Sequence, residues 1–237
     1  VWGSDVYLFP NKSIFHRALL RANLRAASAI ASTSLCMSTA VRKHLKEGVV
    51  FITPFGIDES YFSPSKILRT RPDVVIGTVK ALKHEYGIDT LIEAFSILLK
   101  DFGSDVSLHL EITGAGVDSQ KLKDLAEKLG VSKKVTFHGQ VPHSKVPEML
   151  ARLDVYVALS RSESFGVAIL EASACEKPVV VSDADGPTEV TIGGVTGLIV
   201  KKDNAIEAAD AISKLIRDPE LRATMGRAGR AHVVKNY

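Results

Sequence analysis

Residues 154–183, DVYVALSRSESFGVAILEASACEKPVVVSD, read as strand, loop, helix and strand in that order. VYVAL shows no alternation of polar and apolar residues, the pattern of a strand covered on both faces. The strands occupy 154–160 and 178–183, and the helix 166–175. The same unit recurs upstream. DVVIGTV (73–79) precedes a helix over 88–101, VSLHLEIT (106–113) one over 118–129, and KVTFHG (134–139) one over 144–152. Downstream, a short helix starts at Pro187, TGLIV (196–200) is a strand, and 203–232 holds one or two helices broken near Pro219 and Gly226. Strand and helix in strict alternation predict an α/β fold with a doubly wound parallel sheet.

Ahead of this series, 13–28 reads as an amphipathic helix, 29–33 as a short strand, 34–46 as a helix with Ser34 as N-cap, and VVFI (49–52) as a strand. TPFGIDESYFSPSKILRTRP (53–72) has three prolines and little periodicity and reads as a linker. The chain has 237 residues, between one and two domains of about 150. At 46% apolar and 24% charged it can bury a core. Thirty Lys and Arg against 27 Asp and Glu leave +3, too balanced for a general nucleic-acid binder. No apolar run approaches the roughly 18 residues of a membrane span. Cys36 and Cys175 make no disulfide framework, fit a reducing cytoplasm, and read as buried structural cysteines. No signal peptide is evident, and a start at Val1 without Met leads us to expect a fragment.

Open parallel sheets bind ligands beyond the carboxyl ends of their strands. Those segments are Lys80–Gly87, Gly114–Asp118, Gly139–His143, Ser160–Gly166 and Ser182–Glu189. Within Gly166–Cys175 the only charged side chain is Glu171, eight residues after Glu163. A carboxylate in so apolar a helix is costly without a partner. A ligand hydroxyl pair is one candidate; a neighbouring backbone is the plain alternative. The N–H groups of Ser164–Val167 at the helix start suit a phosphate. Lys80, Lys83 and His84 follow the first strand of the series and could neutralise a diphosphate, or form a solvated loop. Gly114-Ala115-Gly116 lacks the third glycine of a dinucleotide fingerprint, where Ser119 stands, and no acid closes the strand near 137–139. Asp185–Glu189 reads as a helix start with Pro187 at its first position and Glu189 in its first turn. His138 and His143 belong to no metal-ligand spacing, and no nucleophile elbow or P-loop lysine motif is present.

Together these residues resemble the retaining, nucleotide-sugar-dependent glycosyltransferases of the GT-B fold, with their E-x7-E pattern. The resemblance rests on Glu163-Ser164-Phe165-Gly166 through Glu171, Lys177-Pro178-Val179-Val180, Gly186-Pro187-Thr188-Glu189-Val190 and Gly197-Leu198-Ile199-Val200. Phe137-His138-Gly139, Gly87–Phe95 and Pro54-Phe55-Gly56-Ile57-Asp58 extend it over essentially the whole chain. It implies a Rossmann-like donor domain over 53–237 and a remnant of the acceptor domain over 1–52. It implies that Glu163 touches the donor sugar near its anomeric centre. Ser164, Phe165, Gly166 and Val167 would face the diphosphate, and Glu171 would bind the ribose hydroxyls. Gly139 to Val141 would contact the base, and Gly114 to Gly116 would line the nucleotide pocket. The family's basic clamp is replaced: Thr78 and Tyr86 stand where Arg and Lys are usual. Lys80, Lys83 and His84 are the available substitutes, Lys80 first. Trp2 stands where many relatives carry His.

The expected function is hexosyl transfer from a nucleotide-diphosphate sugar, UDP ahead of GDP or ADP, to a sugar or lipid-linked acceptor in polysaccharide or glycolipid biosynthesis. Cations and helix N–H groups would stabilise the leaving diphosphate, with no metal and no cofactor. The expected place is the cytoplasm, with peripheral association at the inner face of the membrane for lipid-linked acceptors; the pI of about 8.8 is compatible with that. The fragment is expected to be inactive alone. A non-catalytic nucleotide-sugar-binding module is the alternative. A nicotinamide oxidoreductase is disfavoured by Ser119 and by the missing acid.

Overall fold

A computed structural model describes residues 1, 3–45, 47–64 and 73–237. The Trp2 departure and residues 65–72 of the linker lie outside the described residues. The chain opens with α1 (Gly3–Tyr7), α2 (Ile14–Ala26), β1 (Ile30–Ser32), α3 (Leu35–Arg42) and β2 (Val50–Ile52). Ser34 caps α3 as its sequence predicts, its Oγ accepting from Met37 N at 3.1 Å. β1 and β2 form a parallel two-stranded sheet, packed with α1–α3 around Val6, Leu20, Leu24, Met37 and Val41. Gly3 opens helix α1.

The second part runs β3 (Val74–Val79), α4 (Ile88–Phe102), β4 (Leu108–Thr113), α5 (Ser119–Lys128), β5 (Val135–Gly139), α6 (Val146–Ala151), β6 (Val155–Ala158), α7 (Val167–Ala174), β7 (Val179–Ser182), α8 (Asp185–Val190), β8 (Gly197–Val200), α9 (Ala205–Arg217) and α10 (Pro219–Asn236). The strands form one all-parallel sheet in the order β5-β4-β3-β6-β7-β8. One face is covered around Ile76, Phe95, Leu98, Leu110 and Ile212, the other around Val75, Leu150, Tyr156, Ile169 and Val233. Burial on both faces is why β6 and β7 carry no polar alternation. The chain leaves β3 in one direction through β4 and β5 and returns to build β6, β7 and β8 in the other. The strand order therefore reverses between β3 and β6, which opens a crevice beyond their carboxyl ends.

Three boundaries differ from the sequence reading. α8 begins at Asp185, so Pro187 is its third residue; the first-turn N–H groups of a helix have no intrahelical partner, and proline is tolerated there. α10 runs unbroken through Gly226, where a Cβ would collide with the Glu176 carbonyl oxygen. That glycine serves close packing, not a break. α3 stops at Arg42, short of residue 46. The described part of the linker is well packed: Phe62 is buried, and Phe55 and Ile57 pack on the β6–β7 face. Ile57 N donates to the Tyr237 carbonyl at 3.1 Å, so the end of α10 returns to this crossover.

Candidate functional site

A cavity of about 650 Å³ opens at the crevice beyond β3 and β6. Its walls come from α1 (Gly3, Ser4, Tyr7), the loop after β3 (Lys80, Lys83, Tyr86), the loop after β6 (Glu163, Ser164, Phe165) and the first turns of α7 (Gly166, Val167, Ala168, Glu171). Eight of the predicted site residues thus meet in one place, drawn from segments more than 80 positions apart.

Lys80 leaves β3 and Glu163 leaves β6, so the switch in strand order sets them face to face. Lys80 Nζ donates to Glu163 Oε1, and Ser160 Oγ donates to Glu163 Oε2 at 2.7 Å. The Lys80 ammonium also lies 4.6 Å from the centre of the Tyr86 ring, a cation–π contact. Both charged side chains are largely buried. An incoming anion and an incoming hydroxyl would each find a partner here already aligned.

Glu171 sits in the second turn of α7, 8% exposed. His143 Nε2 lies 2.9 Å from its Oε1. Burial pushes the Glu171 carboxyl above its ordinary value, and the His143 contact and the Lys80 charge act against that rise. Sequence reasoning named Glu171 and left His143 unassigned; 28 positions separate them, and only the packing of the loop after β5 against α7 brings them together.

Gly114, Gly116, Gly139 and Val141 do not line this cavity. A Cβ at Gly114 would strike the Lys80 carbonyl, and one at Gly116 the Leu82 carbonyl. Leu82 N donates to Ala115 O at 3.0 Å and Asp118 N to Leu82 O at 3.1 Å. These glycines brace the loop that carries Lys80 and Lys83. Gly139 takes a positive φ of 71° with open space around it, and its carbonyl accepts from Gly114 N at 2.8 Å. Val141 packs against the sheet-face cluster that includes Phe62.

Two further elements hold the walls. Arg161 places Nη1 2.6 Å from His84 O and grips both Asp89 oxygens at 2.9 Å, and its Nε lies 2.6 Å from Asp203 Oδ1. This fixes the turn 84–86 that presents Tyr86. Burial alone would raise the Asp89 carboxyl, yet the Arg161 guanidinium outweighs it and holds it low. Arg161→Ala is expected to lower stability by about 1–2 kcal/mol, read from the midpoint of chemical unfolding. From the first part of the chain, Ser34 Oγ donates to Ser164 O at 2.6 Å. Glu189 accepts from Leu35 N at 2.6 Å and Cys36 N at 3.0 Å. Glu189 therefore caps α3 across the seam instead of serving the start of its own helix.

Among the described residues no group of three or more His, Cys, Asp or Glu side chains is placed to hold a metal ion. Nor, among them, is any helix long and apolar enough to cross a membrane.

Residues 62–232 match the family described as "Glycosyl transferases group 1", and residues 1–34 the one described as "Glycosyl transferase 4-like". The chain is 33% identical over 193 residues to the D-inositol 3-phosphate glycosyltransferase of Arthrobacter sp. (strain FB24), covering 76% of this chain and 45% of that protein. It is 30% identical over 199 residues to a GDP-mannose-dependent alpha-(1-6)-phosphatidylinositol monomannoside mannosyltransferase of Mycolicibacterium smegmatis, covering 78% of this chain and 51% of the relative. It spans about half the length of these curated relatives. Among solved structures, sucrose-phosphate synthase from Thermosynechococcus elongatus superposes with a TM-score of 0.85 at 24% identity, over 98% of this chain and 60% of that one. Anabaena HepE, solved with UDP and glucose, gives 0.85 at 22% identity, over 96% and 64%. These likenesses show the fold.

Proposed function

The chain belongs to the glycosyl transferases group 1 family, and from that premise we propose that it is the donor-binding part of a retaining hexosyltransferase. One observation carries the proposal: Lys80, Glu163, the N-terminus of α7 and Glu171 surround a single cavity at the point where the strand order reverses. Residues 53–237 form the donor domain, and residues 1–52, with their own two-stranded sheet and core, belong to the acceptor side.

The chemistry follows from what each group offers. A nucleotide-diphosphate sugar carries its charge on the diphosphate, and the sugar–oxygen bond that breaks leaves more charge there. Lys80, with Lys83 behind it, and the N–H groups of Ser164, Phe165, Gly166 and Val167 stabilise that charge without metal or cofactor. Lys80 exchanges the Glu163 carboxylate for the diphosphate. Glu163, released, accepts from sugar hydroxyls and faces the positive charge that grows at the anomeric carbon. Glu171 accepts from the two ribose hydroxyls. Gly114, Gly116, Gly139 and Val141 take the base, which lies outside the main cavity beyond β4 and β5. UDP is the proposed nucleotide, ahead of GDP and ADP. A HepE structure carries UDP, while the Mycolicibacterium relative is named for GDP-mannose. The acceptor is a sugar or lipid-linked sugar in glycolipid or polysaccharide synthesis, met in the cytoplasm at the inner membrane face.

Calorimetry of the chain with UDP, GDP and ADP tests this reading. One clear preference, for UDP, is expected. Glu163→Ala should not weaken UDP binding, since it frees Lys80 for the diphosphate, and should abolish the difference between UDP and UDP-sugar, because, of the donor, its carboxylate meets only the sugar. Equal, millimolar binding of all three nucleotides would sink the proposal.

A further inference from the structure

The Glu171 carboxylate has one hydrogen-bond partner among the described residues, and it lies on another element. His143 opens the turn His143–Lys145 after β5, and its side chain is 70% exposed. Its ring stacks on Tyr61 at 6.4 Å with an interplanar angle of 28°, and meets the edge of Phe62 at 5.5 Å. Phe62 is 3% exposed and fixed in the sheet-face core. The crossover segment thus sets the imidazole against the carboxylate. We infer that His143 is a positioning residue for the nucleotide site, holding Glu171 ionised and turned so that its second oxygen faces the cavity.

The inference rests on the donor-binding reading above. A ribose diol brings two O–H donors, and only an ionised carboxylate is purely an acceptor. Burial works against that state, so a partner must offset it. The other groups facing Glu171 cannot supply a response near neutrality. Tyr156 below it is buried and pushed far up, and the Cys175 thiol is raised to about 11. Lys80 is engaged by Glu163, and Lys145 and Glu148 beside the turn pair with each other at 2.7 Å. Tyr61 meets the imidazole ring to ring, with centroids 6.4 Å apart. Histidine is the side chain type whose ordinary titration falls near neutrality, so its contact with Glu171 is the one to test against pH.

The test follows the Glu171 side-chain carboxyl by carbon NMR and UDP affinity by calorimetry, from pH 8 to 5.5, in the parent chain, His143→Ala and His143→Gln. The parent should hold its UDP affinity across this range. His143→Ala should raise the carboxyl titration midpoint and weaken UDP binding about three- to tenfold at pH 6, with a smaller loss at pH 8. His143→Gln keeps a donor without the charge, so it should restore affinity at pH 8 and not at pH 6. An unmoved carboxyl titration in His143→Ala, or tighter UDP binding, overturns the inference. A shifted titration alongside UDP binding that ignores both His143→Ala and Glu171→Ala supports the pair and overturns the ribose reading instead.

Discussion

Arg152→Ala is expected to lower the unfolding free energy by about 2–3 kcal/mol at pH 7, a loss read from urea unfolding monitored by circular dichroism. Arg152 lies just past α6. Its Nε and Nη2 donate to the two oxygens of Glu111 on β4 at 2.6 and 2.8 Å, and His138 Nε2 approaches the same carboxylate at 3.1 Å. Glu111 is 3% exposed, on interior strand β4 beside the edge strand β5. Removing one partner of a buried pair costs about 3–5 kcal/mol when nothing replaces it. Arg152 is itself half-exposed, so water enters where the guanidinium stood, and the lower figure applies. Burial alone would raise the Glu111 carboxyl, but Arg152 and His138 outweigh it and hold it below its ordinary value. For a carboxylate lowered by folding, the stabilisation is present above its unfolded value, about 4.5, and lost as pH falls through the lower folded value. The gap between parent and variant should therefore be full at pH 6–7 and narrow as pH falls below about 4.5. A gap of constant size down to pH 3 would mean that Arg152 acts through packing of its stem alone.

This triad was not legible in the sequence, and the reason is geometric. Glu111 and Arg152 stand 41 positions apart, and nothing in either local pattern points to the other. A bulge at the end of β5 adds to the difficulty: Ile112 pairs with Phe137 and Thr113 with Gly139, so His138 is the unpaired residue that turns toward Glu111. The alternation that reveals β5 as a strand does not reveal such a bulge. What the sequence does reveal is local. Continuous apolar runs identified β3, β6 and β7, because burial on both faces leaves no other pattern available. Gly226 misled because a glycine in a helix reads as a stop, whereas here it admits the Glu176 backbone. Pro187 misled because a helix can begin two residues before its proline.

The candidate site divides along the same line. Glu163 and Glu171 were found together because they flank one helix start. Lys80 was found because it follows a strand. That Lys80 and Glu163 bind each other was not found, since 83 positions separate them and only the strand order β3-β6 joins them. Ser34 with Ser164, and Glu189 with the start of α3, span more than 120 positions and depend on how the two sheets meet. In each case the residue type was legible and its partner was not. A carboxylate placed against the expected pattern, such as Glu171 in an apolar helix, announces that a partner exists without saying which.

Glu171→Ala carries the largest expected effect on binding: UDP affinity weaker by about 100-fold at pH 7.5, with the fold retained. Hydrogen bonds to a charged group contribute about 1.5–3 kcal/mol each. The ribose would make two, but the parent carboxylate must loosen its contact with His143 as the diol enters, so a net loss near 2.7 kcal/mol follows, or about 100-fold. The fold should not suffer, and the sign of the Glu171 shift says why. Its folded value is raised, so the folded chain holds that proton more tightly than the unfolded one, and ionisation costs stability as pH rises from the ordinary value through the raised one. At pH 7.5 the variant is relieved of that cost. Alanine also suits the middle of α7, and His143 keeps its place in solvent against Tyr61. An unfolding midpoint equal to or above the parent's, together with a hundredfold rise in Kd, would assign Glu171 to the ligand. Unchanged Kd in a folded Glu171→Ala would remove the ribose role, and the apolar helix would then be carrying its carboxylate for His143 alone.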